Sequence, residues 1–209
     1  MFARLRPVAL LAALATAPAL AEDVAAGKAL YEPCATCHGS RAEGNPSLAA
    51  PALAGQSPAY LARQLRHFRE GIRGGNPQDT GGQLMRPLAA TLGDEQAVAA
   101  VIAYVAKLPV TGAQVAPAGD ATAGNKQFQG KCGACHGARG QGNDAFNAPR
   151  INHLDAAYVV RQVRHFRSGI RGQHGSDSYG RQMAMMAALV SDDELKDIAA
   201  YLHAVAEAQ

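Results

Sequence analysis

Two short motifs with the same spacing constrain this chain more than any other feature. Residues 34–38 read Cys-Ala-Thr-Cys-His, and residues 132–136 read Cys-Gly-Ala-Cys-His. Two thiols about one helical turn apart can each form a thioether with a vinyl group of a haem, and a histidine directly after them can bind its iron. Because the motif occurs twice and uses all four cysteines, the sequence predicts two covalently bound haem c groups.

Each residue of the motif has an expected role. The covalent attachment sites are Cys34, Cys37, Cys132 and Cys135, and the iron ligands are His38 and His136. Paired Cys-x-x-Cys elements also occur in zinc sites and in thioredoxin-like redox proteins. Neither alternative needs a histidine directly after the second cysteine, and a zinc ribbon places its two pairs much closer in sequence. Haem attachment is therefore the favoured interpretation.

The N-terminus has the pattern of a secretory signal peptide. Arg4 and Arg6 precede an apolar stretch rich in Ala and Leu, and residues 19–21 form an Ala-x-Ala cleavage site. The stretch is short for a membrane span, which needs about 20 residues, although an uncleaved anchor is the alternative. We expect a periplasmic protein with no transmembrane segment in its mature form.

The chain is a duplication in which residue n of the first half matches residue n + 98 of the second. Residues 64–74 and 162–172 are identical at nine of eleven positions. A period this long indicates a duplicated domain, since solenoid repeats span about 20–50 residues. The predicted organisation is a signal peptide at 1–21, an N-terminal domain at 22–108, a linker at 109–121 and a C-terminal domain at 122–209.

Apolar periodicity in both halves predicts helices and no sheet. Ser57 followed by Pro58 marks the start of a middle helix, and Asp155 begins its counterpart. Asp94 and Ser191 are expected to cap the last helix of each half. Aromatic residues make up only 5% of the chain, so each half would bury a thin core without a porphyrin. The predicted fold class is therefore all-α.

Methionine is the expected second axial ligand, because its soft thioether favours Fe(II). Met85 lies 47 residues after His38, and Met183 lies 47 residues after His136. We expect both in a loop just before the last helix of each half. Met186 is the main alternative in the second half.

Repeated histidines and arginines offer further candidates. His67 and His165 also recur in register and are alternative iron ligands, although flanking arginines favour a solvent-facing or hydrogen-bonded role. Arg73 and Arg171 are candidates to neutralise haem propionates, because a guanidinium fork suits a carboxylate. The alternative for them is a solvated turn. The histidines without a partner in the first half, His153, His174 and His203, are expected at the surface.

These features resemble the two-haem class I cytochromes c of the cytochrome c4 type. The resemblance rests on the paired motifs, the Pro-Ala-Leu-Ala-Gly-Gln loop at 51–56, the Tyr-x-x-x-Gln-x-x-x-Phe helix of both halves and the late methionines. It implies two tandem class I cytochrome c domains in a periplasmic electron carrier. It also implies haem-iron ligation by His38, Met85, His136 and Met183. The second half departs at 149–153, where the Gly-Gln pair is missing.

The predicted function is electron transfer without catalysis of bond chemistry, so no catalytic residue is assigned. The expected electron donor is a quinol–cytochrome c oxidoreductase or a dehydrogenase. The expected acceptor is a terminal oxidase or reductase, and a membrane-bound one is included. We expect docking with these redox partners to be transient. One alternative is a cytochrome subunit of a periplasmic dehydrogenase complex. Another is a dihaem peroxidase-type enzyme, which would need an open iron position. No basic tract indicates nucleic-acid binding.

Overall fold

A computed structural model of the chain describes residues 18–111 and 115–208. The helices of the first half are α1 (Pro18–His38), α2 (Pro58–Arg69), α3 (Thr80–Ala90) and α4 (Glu95–Val105). Those of the second half are α5 (Ala121–Lys131), α6 (Gly133–His136), α7 (Ala156–Arg167), α8 (Ser178–Ala187) and α9 (Asp192–Glu207). Within these described ranges the only β-type pairing is two isolated bridges, so the predicted all-α fold is confirmed.

Polar side chains begin the helices where the sequence predicted them. Asp94, Asp155 and Ser191 each accept hydrogen bonds from backbone N–H groups in the first turn of α4, α7 and α9. These caps satisfy N–H groups that have no partner inside the helix. At α2 the side chain of Ser57 makes no such bond, and Pro58 occupies the first helical position.

The first and last helices of each half cross at close range. A Cβ on Gly27 of α1 would overlap the carbonyl oxygen of Ala100 in α4, and Gly124 of α5 meets Asp197 of α9 in the same way. Beside the first crossing, the rings of Tyr31 and Tyr104 lie 5.5 Å apart between centroids. Glycine is required here because any side chain would force the two helices apart.

The two halves meet through polar contacts that repeat in the 98-residue register. Arg63 of α2 donates from Nη2 to the backbone oxygen of Asn147 at 2.8 Å. Its counterpart, Arg161 of α7, donates from Nη2 to the backbone oxygen of Ala49 at 2.8 Å. The duplicated residues therefore build an interface with approximate two-fold symmetry.

The candidate methionines do not lie in loops, contrary to the sequence-based expectation. Met85 is inside α3 and Met183 is inside α8. The glycines at the start of α3 and Pro87 inside it have low helix propensity, so the sequence does not indicate a helix here. Asp79 and Asp177 cap the two helices by accepting from the backbone N–H groups of the glycines three residues on.

Some predictions about the N-terminus and linker lie outside the described residues. Residues 1–17 of the expected signal peptide and residues 112–114 of the expected linker are in this group. In the described part of the chain, no single helix is both long and apolar enough to cross a membrane, and α3 and α4 pass that test only as a pair bent by 114°.

Candidate functional site

The histidines of the two motifs are held in the same way. Nδ1 of His38 lies 2.8 Å from the backbone oxygen of Pro51, and Nδ1 of His136 lies 2.9 Å from that of Pro149. A carbonyl oxygen can only accept a hydrogen bond, so Nδ1 carries the proton and Nε2 keeps its lone pair. Burial lowers the pKa of both imidazoles. Each half therefore presents a neutral, oriented imidazole suited to bind iron.

The four cysteines lie beside these histidines, and none of them forms a disulfide. Cys34 is at the end of α1 and packs against the core of the first half. Cys132 interrupts the helix in the second half, between α5 and α6, and Cys135 is exposed.

A cavity in the second half brings all the predicted site residues of that half together. Cys132, Cys135, His136 and Met183 all line it. The remaining wall is largely apolar and includes Val159, Val163, Phe166, Leu195, Ile198 and Leu202. An apolar cavity with two thiols, one imidazole and one thioether fits a covalently attached porphyrin and its iron.

The methionines of α8 are not equivalent. Met183 and Met186 both line the cavity, so position alone leaves both as candidate ligands. Met183 is partly buried, whereas Met186 is 38% exposed and Met185 is 66% exposed. Only Met183 has a methionine at the matching position of the first half, the partly buried Met85. The repeat therefore favours Met183.

Arg73 and Arg171 are buried, which is inconsistent with a solvated turn. Each guanidinium lies over the phenylalanine ring of its own half, 4.4 Å above Phe68 and 4.3 Å above Phe166. Burial and the charge of Arg73 lower the pKa of Arg171, which also lines the cavity of the second half. Two buried cations at this place favour a nearby anion, as the propionates of a haem would supply.

Two glutamines hold these arginines together across the interface. Nη1 of Arg73 donates to Gln64 at 2.8 Å, and Nη1 of Arg171 donates to Gln162. Each arginine also reaches the glutamine of the other half, with Nη2 of Arg171 3.3 Å from Oε1 of Gln64. Sequence reasoning gave these glutamines no role, although both recur in register within the shared Tyr-x-x-x-Gln-x-x-x-Phe pattern.

Several histidine predictions are wrong. His67 is 3% exposed and His165 is largely buried, and both face the opposite half instead of solvent. His153, expected at the surface, is 1% exposed, and its two ring nitrogens have no hydrogen-bond partner among the described residues. The side chain of His203 is also mostly buried and pairs with Glu207 at 3.3 Å. The arginines that flank His67 and His165 also fit a solvated helix face, so the sequence does not show that these two histidines lie between two domains.

Comparison with known sequences supports the haem assignment of the site. The family model for cytochrome c matches residues 24–109 and 121–206. Cytochrome c4 of Azotobacter vinelandii is 30% identical over 191 residues, which cover 87% of this chain and 89% of that protein. A thiosulfate dehydrogenase electron acceptor of Stutzerimonas stutzeri (strain A1501) is 33% identical over 177 residues, covering 80% of this chain and 76% of that protein.

Solved structures share this architecture. Reduced cytochrome c4 from Pseudomonas stutzeri has a TM-score of 0.66 and 27% identity, covering 86% of this chain and 97% of that chain. Thiosulfate dehydrogenase from Marichromatium purpuratum has a TM-score of 0.70 and 30% identity, covering 86% of this chain but 40% of that chain. The chain therefore belongs to the cytochrome c family, as a two-domain protein of the cytochrome c4 type with two covalently bound haem c groups.

Proposed function

We propose that His38 and Met85 bind the iron of the first haem and that His136 and Met183 bind that of the second. The observation that carries this proposal is the cavity of the second half, where His136 and Met183 share one largely apolar wall with both cysteines. The matching Nδ1 contacts of His38 and His136 support the same arrangement in the first half. The thioether bonds are assigned to Cys34 and Cys37, and to Cys132 and Cys135.

This ligand set suits electron transfer. A bound haem supplies an iron that takes up and releases one electron. The chain contributes two side-chain ligands to each iron, so no position is left open for a substrate, as a peroxidase-type enzyme would require. The apolar wall of the cavity excludes water, and buried arginines offset negative charge at its edge. The protein is therefore a dihaem electron carrier, as its cytochrome c4 relatives are.

The cellular context is also part of the proposal. Residues 1–21 serve as a signal peptide, and the mature protein works in the periplasm. Its domains span 22–108 and 122–209, joined by a linker at 109–121, and the family-model matches at 24–109 and 121–206 support this division. The carrier would dock transiently with a quinol–cytochrome c oxidoreductase or dehydrogenase on one side and a terminal oxidase or reductase on the other.

A second candidate function is that of a dedicated electron acceptor for one dehydrogenase. The similarity to a thiosulfate dehydrogenase electron acceptor, and to part of a thiosulfate dehydrogenase structure, favours it. A dedicated acceptor would co-purify with its catalytic subunit from the native organism, whereas a free carrier would elute alone. The rate of reduction by that dehydrogenase, compared with reduction by a quinol–cytochrome c oxidoreductase, distinguishes the two functions.

An optical redox titration of the holoprotein tests the electron-carrier site. Two low-spin haems at positive potential, each with the red-region charge-transfer band of Fe–S(Met) ligation, are the expected result. A high-spin ferric haem in the resting protein would instead indicate an open iron position and contradict the ligand assignment for that half.

A further inference from the structure

Each half supplies one histidine that faces a carboxylate of the other half. His67 on α2 places Nδ1 4.0 Å from Oδ2 of Asp177. His165 on α7 repeats the arrangement, with Nδ1 3.7 Å from Oδ1 of Asp79. Neither Nδ1 atom has a hydrogen-bond partner among the described residues. Each imidazole is thus held near a buried carboxylate, where uptake of a proton would create an ion pair across the interface.

Asp177 links this contact to the haem cavity of the second half. Its side chain borders the cavity and caps α8, the helix that carries Met183, by accepting from the N–H of Gly180 at 2.8 Å. A proton on His67 would therefore place a positive charge opposite a carboxylate at the edge of the other half's cavity. Asp79 caps α3, the helix of Met85, in the same way.

We propose that His67 and His165 are positioning residues that act on the haem of the opposite half, His67 through Asp177 on the second haem and His165 through Asp79 on the first. This inference rests on the ligand roles proposed above for Met183 and Met85. A positive charge near a haem stabilises the reduced iron, which carries one positive charge fewer. Protonation of each histidine therefore raises the reduction potential of the opposite haem.

The charged groups around the two histidines shift the pKa of each imidazole and so affect the pH range of this coupling. The cations near His67 are Arg63, Arg66 and Arg73, and those near His165 are Arg171, Arg161 and Arg73. Burial lowers the pKa of both imidazoles, the facing aspartate raises it, and the arginines lower it further. The carboxylate from the opposite half is thus the neighbour that favours the protonated form.

The test measures the potential of each haem separately against pH. Haem-methyl NMR signals distinguish the two haems in redox titrations between about pH 4 and pH 8, a range around the ordinary histidine pKa. In the parent protein both potentials should fall as pH rises. H67Q should lose this fall at the second haem and keep it at the first, and H165Q should give the reverse result. H203Q, which alters a histidine–carboxylate pair within one half, should change neither profile.

A second measurement needs no substitution. The pKa of the His67 imidazole, followed by NMR in the parent holoprotein, should be higher when the second haem is reduced than when it is oxidised. Unchanged profiles in H67Q and H165Q, or equal losses at both haems, would overturn the inference, as would a His67 pKa indifferent to the second haem. A wrong ligand assignment appears separately, as a missing Fe–S(Met) band in the parent.

Discussion

The side chain of Gln56 holds the backbone of Arg150 across the boundary between the two halves. Its Nε2 donates to the carbonyl oxygen of Arg150 at 2.9 Å, and its Oε1 accepts from the N–H of Arg150 at 2.9 Å. The position that matches Gln56 in the second half is Leu154, so this contact has no symmetric copy. It lies at 149–153, where the second half departs from the repeat.

Replacing Gln56 by alanine should weaken the interface between the halves. The change removes both hydrogen bonds to the backbone of Arg150, which costs about 2–4 kcal/mol of unfolding free energy. Denaturant unfolding of the holoprotein measures the loss. Gln83, an exposed residue of α3, is the matched control, and Gln83→Ala should have little effect. Equal stability of the two variants would show that the Gln56 contact contributes nothing.

The methionine of the second site can be identified by two single substitutions. Met183→Ala should remove about half of the red-region Fe–S(Met) band and lower the potential of the second haem, because a soft ligand that favours Fe(II) is lost. Met186→Ala should keep the whole band, since a 38% exposed side chain at the cavity is replaced without loss of a ligand. The opposite pattern would assign the iron ligand to Met186.

The sequence predicted most of the fold because its signals are local. Cys-x-x-Cys-His, helix caps such as Asp94 and Ser191, and the 98-residue register all depend on residues close together or on direct repetition. The helix around Met85 was missed because glycines and a proline lower its intrinsic helix propensity, while tertiary packing and the Asp79 cap stabilise it.

The interface between the halves could not be predicted, because it depends on how two folded units dock. His67 lies between arginines on an amphipathic helix, a pattern that also fits a solvated face. Its burial follows only from the other half, which supplies Asp177. The burial of His153 could not be predicted for a related reason. A histidine in a loop without apolar periodicity gives no sign that its side chain is buried.

Removal of either buried arginine should lower the potential of a haem. Arg171 lines the second cavity, so Arg171→Gln takes away a positive charge that favours the reduced iron there. The expected change is about 1 kcal/mol in favour of the oxidised haem. Arg73→Gln should act on the first haem in the same direction. Redox titration measures both, and Arg41→Gln, at an exposed position, is the control. Unchanged potentials in both variants would exclude a role for these arginines at the propionates.

His153 should make the folded protein sensitive to acid. Burial, followed by the charge of Arg150, lowers its pKa from 6.5 to about 3. Below about pH 6.5 the unfolded chain binds a proton at His153 and the folded chain does not. The free energy of unfolding therefore falls as the pH drops below this value.

The acid sensitivity can be measured as a difference in the free energy of unfolding between the parent protein and the variant His153→Leu. Between pH 7 and pH 5 the parent should lose about 2 kcal/mol of unfolding free energy that His153→Leu does not lose. Urea unfolding of both holoproteins at the two pH values measures it, and any packing defect of the leucine cancels because it does not depend on pH. His174→Gln, at an exposed position, should keep the parent's pH dependence. A leucine variant that loses as much stability as the parent would mean that His153 is protonated in the folded protein.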